Sequence, residues 1–305
     1  MIDAAKLVRP SIGLDMVRIA PTSELAPPGD GAFRTACAIS HMSYDDPIVY
    51  PDQTGRSHLH TFFGNTNVDA TSTAESIRGS GNSTCRAGIA NRSAYWVPTM
   101  IDTKDGTPLV PVGIGVYYKT SFYSGNANVQ PIPAGLRMIA GDAAASGPSP
   151  VFAARFKCIG GPSNQNDFYG PTIGNCDGGA ELWQEIFFPP CWDGRNLDSP
   201  DHNSHMSYEV QNQSSPFEWR CPKSHPVLLP SITFNVVYAV PEANAALRWR
   251  LASDTYGTAI PGGYSSHGDW FNGWISDVSD TFVRRCVQAK KDCHSHLLGD
   301  GRMIY

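Results

Sequence analysis

Residues 231–240 read SITFNVVYAV, and this run decides the fold class. Ile232, Phe234, Val236 and Tyr238 alternate with Thr233, Asn235 and Val237, the period-two pattern of a strand with one buried face. Four further runs set β-branched and aromatic residues between turn signals: AYWVPTMI (94–101), GIGVYYKT (113–120), GLRMIAG (135–141) and VFAARFKCI (151–159). The chain has 29 Gly and 24 Pro, and only 17% of it is charged, against roughly 25% in ordinary soluble domains. That balance favours short strands and many turns over long helices. One segment reads as a helix, from about residue 276 to 289. Val278, Phe282 and Cys286 recur there every four residues, joined by Val283 and Val287, with Ser276 or Ser279 available as the cap. The expected fold is mainly β: a single β-sandwich or jelly-roll-like domain with long disulfide-stapled loops and one C-terminal helix. Its expected limits are residues 31–293, with an N-terminal extension at 1–30 and a C-terminal tail at 294–305. The stretch GDAAASGPSP (141–150) reads as a loop rather than a domain boundary, because a strand-like run follows at once.

Eight cysteines are spread through the chain, none in the close Cys-x-x-Cys pairs of a zinc site. An even count in a loop-rich chain reads as a disulfide set and an oxidising compartment. The preferred pairs are Cys37–Cys85, Cys158–Cys176, Cys191–Cys221 and Cys286–Cys293. The last two cysteines are seven residues apart, about 10.5 Å along a continuous helix, so their bridge requires the helix to end between them. The N-terminal residues MIDAAKLVRPSIGLDMVRIAP lack the apolar core of a secretory signal. The expectation is therefore a cleaved signal, a module of a longer chain, or release by another route, such as on a virus particle. A net charge of -5 without a basic stripe gives no attraction for nucleic acid, and no apolar run is long enough for a membrane helix.

Histidine gathers in four segments: SHLHTFFGN (57–65), CWDGRNLDSPDHNSHMSY (191–208), CPKSHPVLLP (221–230) and SSHGDWFNGW (265–274). On a strand His58 and His60 share a face, a spacing that lets two imidazoles reach one zinc or copper ion. His202 and His205 are three apart on a turn, and His225 and His267 are further candidates. Asp193, Asp198 and Asp201, beside Glu181 and Glu185, offer a second chemistry, the carboxylate pair of glycoside hydrolysis, although WDG and DSPD are also turn sequences. The same Asp-rich loop is a candidate calcium site. Aromatic residues near these segments, among them Phe62, Phe63, Trp192, Tyr208, Trp219, Trp270, Phe271 and Trp274, could form a platform for sugar rings. The loop from Cys191 to Pro230 is long enough that a functional role is expected of it.

Four blocks, ISHMSYDDPIVYPDQTGRSHLHTFFGN (39–65), FPPCWDGRNLDSPDHNSHMSY (188–208), CPKSHPVLLPSITFNVVY (221–238) and HGDWFNGW (267–274), resemble those of the DUF1996 family, a domain of unknown function from secreted fungal and bacterial proteins. The resemblance implies an extracellular setting, a link to polysaccharide, and importance for His41, His60, Asp201, His205, His225 and His267. The leading expectation is a polysaccharide hydrolase or lyase. His60, His205, His225 and His267 would act as acid/base groups or hold a divalent metal (zinc, copper or calcium), with Asp201 orienting an imidazole. Trp192, Tyr208, Trp270 and Arg195 would bind substrate, and His58 and His60 would form the metal pair. The alternatives are a non-catalytic glycan-binding or surface-decoration module and a copper-dependent oxidative enzyme. The glycan is the expected partner in each.

Overall fold

The computed structural model describes residues 2–120, 128–148, 153–161, 169–212 and 215–305. Eleven strands make its two main sheets. In chain order they are β1 (Ala32–Cys37), β2 (Ile39–Ser43), β3 (His60–Gly64), β4 (Ala94–Pro98), β5 (Gly113–Lys119), β6 (Arg137–Gly141), β7 (Ala154–Ile159), β8 (Tyr169–Gly170), β9 (Glu181–Phe187), β10 (Ser231–Ala239) and β11 (His267–Phe271). One sheet has the order β8-β7-β9-β10-β5-β1 and the other β2-β3-β4-β11-β6, with every neighbour antiparallel.

The run at 231–240 is the central strand β10. Phe234 pairs with Ile186 on one side and Val116 on the other, and Ile232, Phe234, Val236 and Tyr238 are all buried. Thr233 and Asn235, expected on the wet side, are buried as well: Phe187 and Tyr117 flank Thr233 across the ladder, and Glu185 flanks Asn235. The inner face of the second sheet meets β10: the Tyr95 and Phe234 rings pack edge to face at 5.6 Å, within one core that includes Phe63, Val97, Met138 and Trp270. Its outer face is covered too. Phe62, Trp96 and Phe271 point there by alternation and pack with Ile48, Val68 and Ile77 from the 44–79 segment. This second, smaller core gives the outer face a dry floor.

The run at 94–101 divides into β4 and a short strand, Met100–Asp102, that pairs instead with Trp249–Leu251. The C-terminal helix, α1 (Ser276–Phe282), is shorter than the expected 276–289. It widens into a π-helical turn, Val283–Val287, where the Gln288 amide reaches back five residues to the Val283 carbonyl at 2.8 Å. Neither serine caps it: Ser279 Oγ bonds the Ser276 carbonyl, and Ile275 holds the N-cap position. The helix ends before Cys293, which brings that residue's Cα to 5.7 Å from Cys286.

Disulfides join Cys37–Cys85, Cys158–Cys176, Cys191–Cys221 and Cys286–Cys293. Four bridges in one chain suit an oxidising compartment. Near the termini, Ile19–Pro21 pairs with Arg302–Ile304, so the expected extension and tail form a small sheet with each other. In the long loop, Cys191–Trp192 is the middle strand of a ribbon between Met206–Ser207 and Val227–Leu228. Residues 149–152 of the expected loop and strand lie outside the described residues. No described helix is long and apolar enough to cross a membrane.

Candidate functional site

Strand alternation puts His267 and Asp269 on the outer face of β11, and His60 opens β3 on the same face two strands away. The turn before β3 supplies His58, whose ring centroid lies 4.3 Å from that of His60 and 4.9 Å from that of His267. The loop after β2 supplies Asp46. One of its oxygens accepts from the Ile48 and Val49 amides, both at 2.9 Å, a local turn that fixes the carboxylate. The ligand-type atoms form two overlapping sets, His58/His60/His267 and Asp46/His60/Asp269, each with members within 4.8 Å of one another.

Backbone carbonyls set the tautomers. His60 Nδ1 donates to the Asp45 carbonyl at 3.0 Å, and His267 Nδ1 donates to the Ser265 carbonyl at 2.8 Å. A carbonyl can only accept, so in each neutral ring the bare nitrogen is Nε2, turned inward. His60 Nε2 and Asp269 Oδ2 are buried without a hydrogen-bond partner. His58 Nε2 and His267 Nε2 are 3.1 Å apart, close to the about 3.3 Å edge of a tetrahedron with zinc–nitrogen bonds of about 2.0–2.1 Å. Burial holds the rings neutral. It carries His58 down to about 3, helped by His267, and His267 to about 4, and holds His60 well below the ordinary imidazole range. Burial also pushes the Asp269 carboxyl far up, with Asp46 adding to the effect, and raises Asp46 itself. Imidazole nitrogens and carboxyl groups thus converge with few donors among them: His58 Nε2 can donate to His267 Nε2 and Asp46 accepts from its own turn, but His60 Nε2 and Asp269 Oδ2 are left without a partner. Such a set is costly when dry and is satisfied by a cation. Three imidazoles suit zinc, copper or a similar transition ion better than calcium, which takes oxygen ligands.

The expected convergence of four histidine segments occurs for two of them. His205 is buried elsewhere: its Nε2 donates to the Arg137 carbonyl at 2.7 Å, and its Nδ1 meets Ser199 Oγ at 2.9 Å. His225 Nε2 donates to the Ser204 carbonyl, and its Nδ1 contacts Ser224 Oγ. Both rings have their nitrogens engaged in bracing the 198–208 loop. Asp201 orients no imidazole directly. It accepts from Ser199 Oγ, Ser204 N and Oγ, and Asn203 N, bonds that hold it far below the usual carboxylate range, and it reaches His205 only through Ser199. Asp193 likewise accepts from its own turn, and Asp198 faces Arg137 and His202, so the loop makes no cation cluster among the described residues.

Trp270 is no sugar platform: one residue from Asp269, it points to the opposite face and is fully buried in the main core. Trp192 Nε1 donates to the Asn196 carbonyl, Arg195 lies on the exposed turn beside it, and the Tyr208 hydroxyl donates to the Phe187 carbonyl. Asp46 and Asp269 are the site residues that sequence reasoning missed. The signal for Asp269 was the HGD step, which puts an acid on the face of His267.

A cavity of about 220 Å³ opens beside the centre, lined by Asp46, Tyr50, His58, Asp142, His267 and Asp269 among others. Gly141 also lines it, with a φ of +93°. A Cβ there would sit 2.2 Å from the Ser266 carbonyl and 2.7 Å from His267 Cα, so only glycine lets β6 approach His267 this closely.

His41 stacks on Phe62 at 4.7 Å, outside the cluster, and burial lowers it to about 4. Its folded value lies below the unfolded value of about 6.5, so the unfolded chain binds the extra proton. The His41 contribution is therefore fully present above about pH 6.5 and is lost as pH falls towards 4. Denaturant unfolding at pH 7.5 and 4.5 should show the wild type losing about 2–3 kcal/mol more than His41→Gln. Equal losses would contradict the assignment.

A family model described as a domain of unknown function (DUF1996) matches residues 46–274, a span that opens on Asp46 and contains His58, His60, His267 and Asp269. No curated protein and no solved structure matches the chain.

Proposed function

The chain belongs to the DUF1996 family, and we propose that it is an extracellular metal-dependent enzyme, a hydrolase or lyase, acting on polysaccharide. The observation that carries this reading is the convergence of buried imidazoles and carboxyl groups, with His60 Nε2 and Asp269 Oδ2 unpartnered, beside an open cavity. A divalent transition ion bound there would supply Lewis-acid polarisation and a water acidic enough to react near neutral pH. The Asp45 and Ser265 carbonyls orient two of the imidazoles, and burial keeps all three uncharged. Asp46 and Asp269 offset the ion's charge. Tyr50, Ser57, Asp142 and Asn203 at the cavity wall offer partners for sugar hydroxyls. Structural zinc sites are closed by their ligands, whereas His58 and His267 line open space. The complete burial of His60 favours a second reading, a glycan-binding module with a structural ion.

The test is to offer a polysaccharide panel to zinc-loaded protein and measure new chain ends. Cleavage that falls more than about 100-fold in His58→Ala supports the enzyme reading, since even outer-shell partners of a metal typically matter about 10–100-fold. Cleavage indifferent to His58→Ala sinks it. Binding without cleavage selects the module.

A further inference from the structure

A second cavity, about 310 Å³, adjoins the first. Ile139, Gly141, Asp142 and Asn203 line both, so the two are halves of one groove crossing the end of β6. Together they reach the roughly 300–1,000 Å³ of an ordinary ligand site, with the candidate metal ligands at one end only. The far half has an apolar floor of Ala153, Pro189 and Met206 and a polar rim of Asn203, Ser207 and Asp142. That combination suits a pyranose ring, which has C–H faces and a hydroxyl edge.

The walls are stiff. Asp201 pins the turn that carries Asn203, His205 ties the same loop to the Arg137 carbonyl, and Met206–Ser207 pairs with the disulfide-held strand Cys191–Trp192. The groove's charge is one-sided. Asp142 is its acid beyond the two that face the candidate ion, and among the described residues neither half is lined by a lysine or arginine. Away from the candidate metal ion, a uronate, sulfate or phosphate group would find no cation among the described lining residues to replace its hydration.

Resting on the proposed activity, we infer that the substrate is an extended chain of neutral or amino sugars, bound across both halves, and that the reaction is hydrolysis. Eliminative cleavage needs a uronate, whose carboxylate acidifies the adjacent C–H, and the only cation the described groove would offer one is the candidate metal ion, whose charge Asp46 and Asp269 already offset. In hydrolysis the glycosidic C–O bond breaks. Water gives its hydroxyl to the anomeric carbon and its other proton to the leaving oxygen.

The experiment is calorimetry of zinc-loaded protein with neutral gluco- and manno-oligosaccharides, amino-sugar oligosaccharides and oligogalacturonates of increasing length, with zinc content read separately. Neutral or amino-sugar chains should bind, at least about 10-fold more tightly as length fills the second half, a gain of about 1.4 kcal/mol. Ser207→Trp, which fills the far half, should abolish that gain while zinc stays bound, and Asp142→Lys should admit the acidic chains. Three results would overturn the inference: preference for oligogalacturonates, affinity independent of length, or no oligosaccharide bound by protein that retains zinc. Failure to bind zinc at all would instead remove the metal-dependent reading on which the inference rests.

Discussion

Replacing His60 with alanine is expected to lower zinc affinity more than about 100-fold, the largest effect of any single substitution at the centre. His60 belongs to both sets of converging groups, is fully buried, and has its tautomer fixed by the Asp45 carbonyl. Its loss removes the one residue that the His58/His267 and Asp46/Asp269 sets share. His225→Ala is the control: that imidazole bonds the Ser204 carbonyl and takes no part in the cluster. Competition titration with a chromophoric chelator reads both variants. A fall in His60→Ala no larger than that in His225→Ala would refute the ligand set.

Removing the Cys191–Cys221 bridge, with both residues changed to alanine, should cost about 3.5 kcal/mol of stability, the chain-entropy value for closing a loop of 30 residues. The bridge ties the ribbon strand Cys191–Trp192 to the far end of the loop that carries Asn203, Met206 and Tyr208. Zinc affinity should hardly change, because the five groups of the centre come from β3, β11 and the segment between β2 and β3. Denaturant midpoints with unchanged slope give the first quantity. A loss under about 1 kcal/mol would mean that the loop is held by its hydrogen bonds rather than by its covalent tie.

Much of this architecture was legible in the residues. Alternation at 232–238 identified the central strand, because a period of two is imposed by the strand backbone itself. The His58–His60 pair was visible for the same reason, although the strand begins only at His60 and the turn before it brings His58 alongside. The same rule, applied from His267, puts Asp269 in the site and Trp270 in the core. Reading the aromatic residues by proximity in sequence instead led to Trp270 as a substrate contact. Asp46 was hidden because Asp-Asp-Pro reads equally well as turn chemistry, and it does cap its own turn. His205 and His225 could not be sorted from His60 in advance, since what separates them is which backbone carbonyls their rings meet after folding. The early widening of the terminal helix had no local signal in its four-residue repeat either.

Metal content per chain tests the central claim most directly. The protein is purified without chelator or affinity metal, analysed for transition elements, then stripped and titrated with zinc. The account predicts close to one tightly bound transition ion per chain, with the site lost in His60→Ala and kept in His225→Ala. Absence of stoichiometric binding by folded, disulfide-intact protein, or binding that survives in His60→Ala, would contradict it.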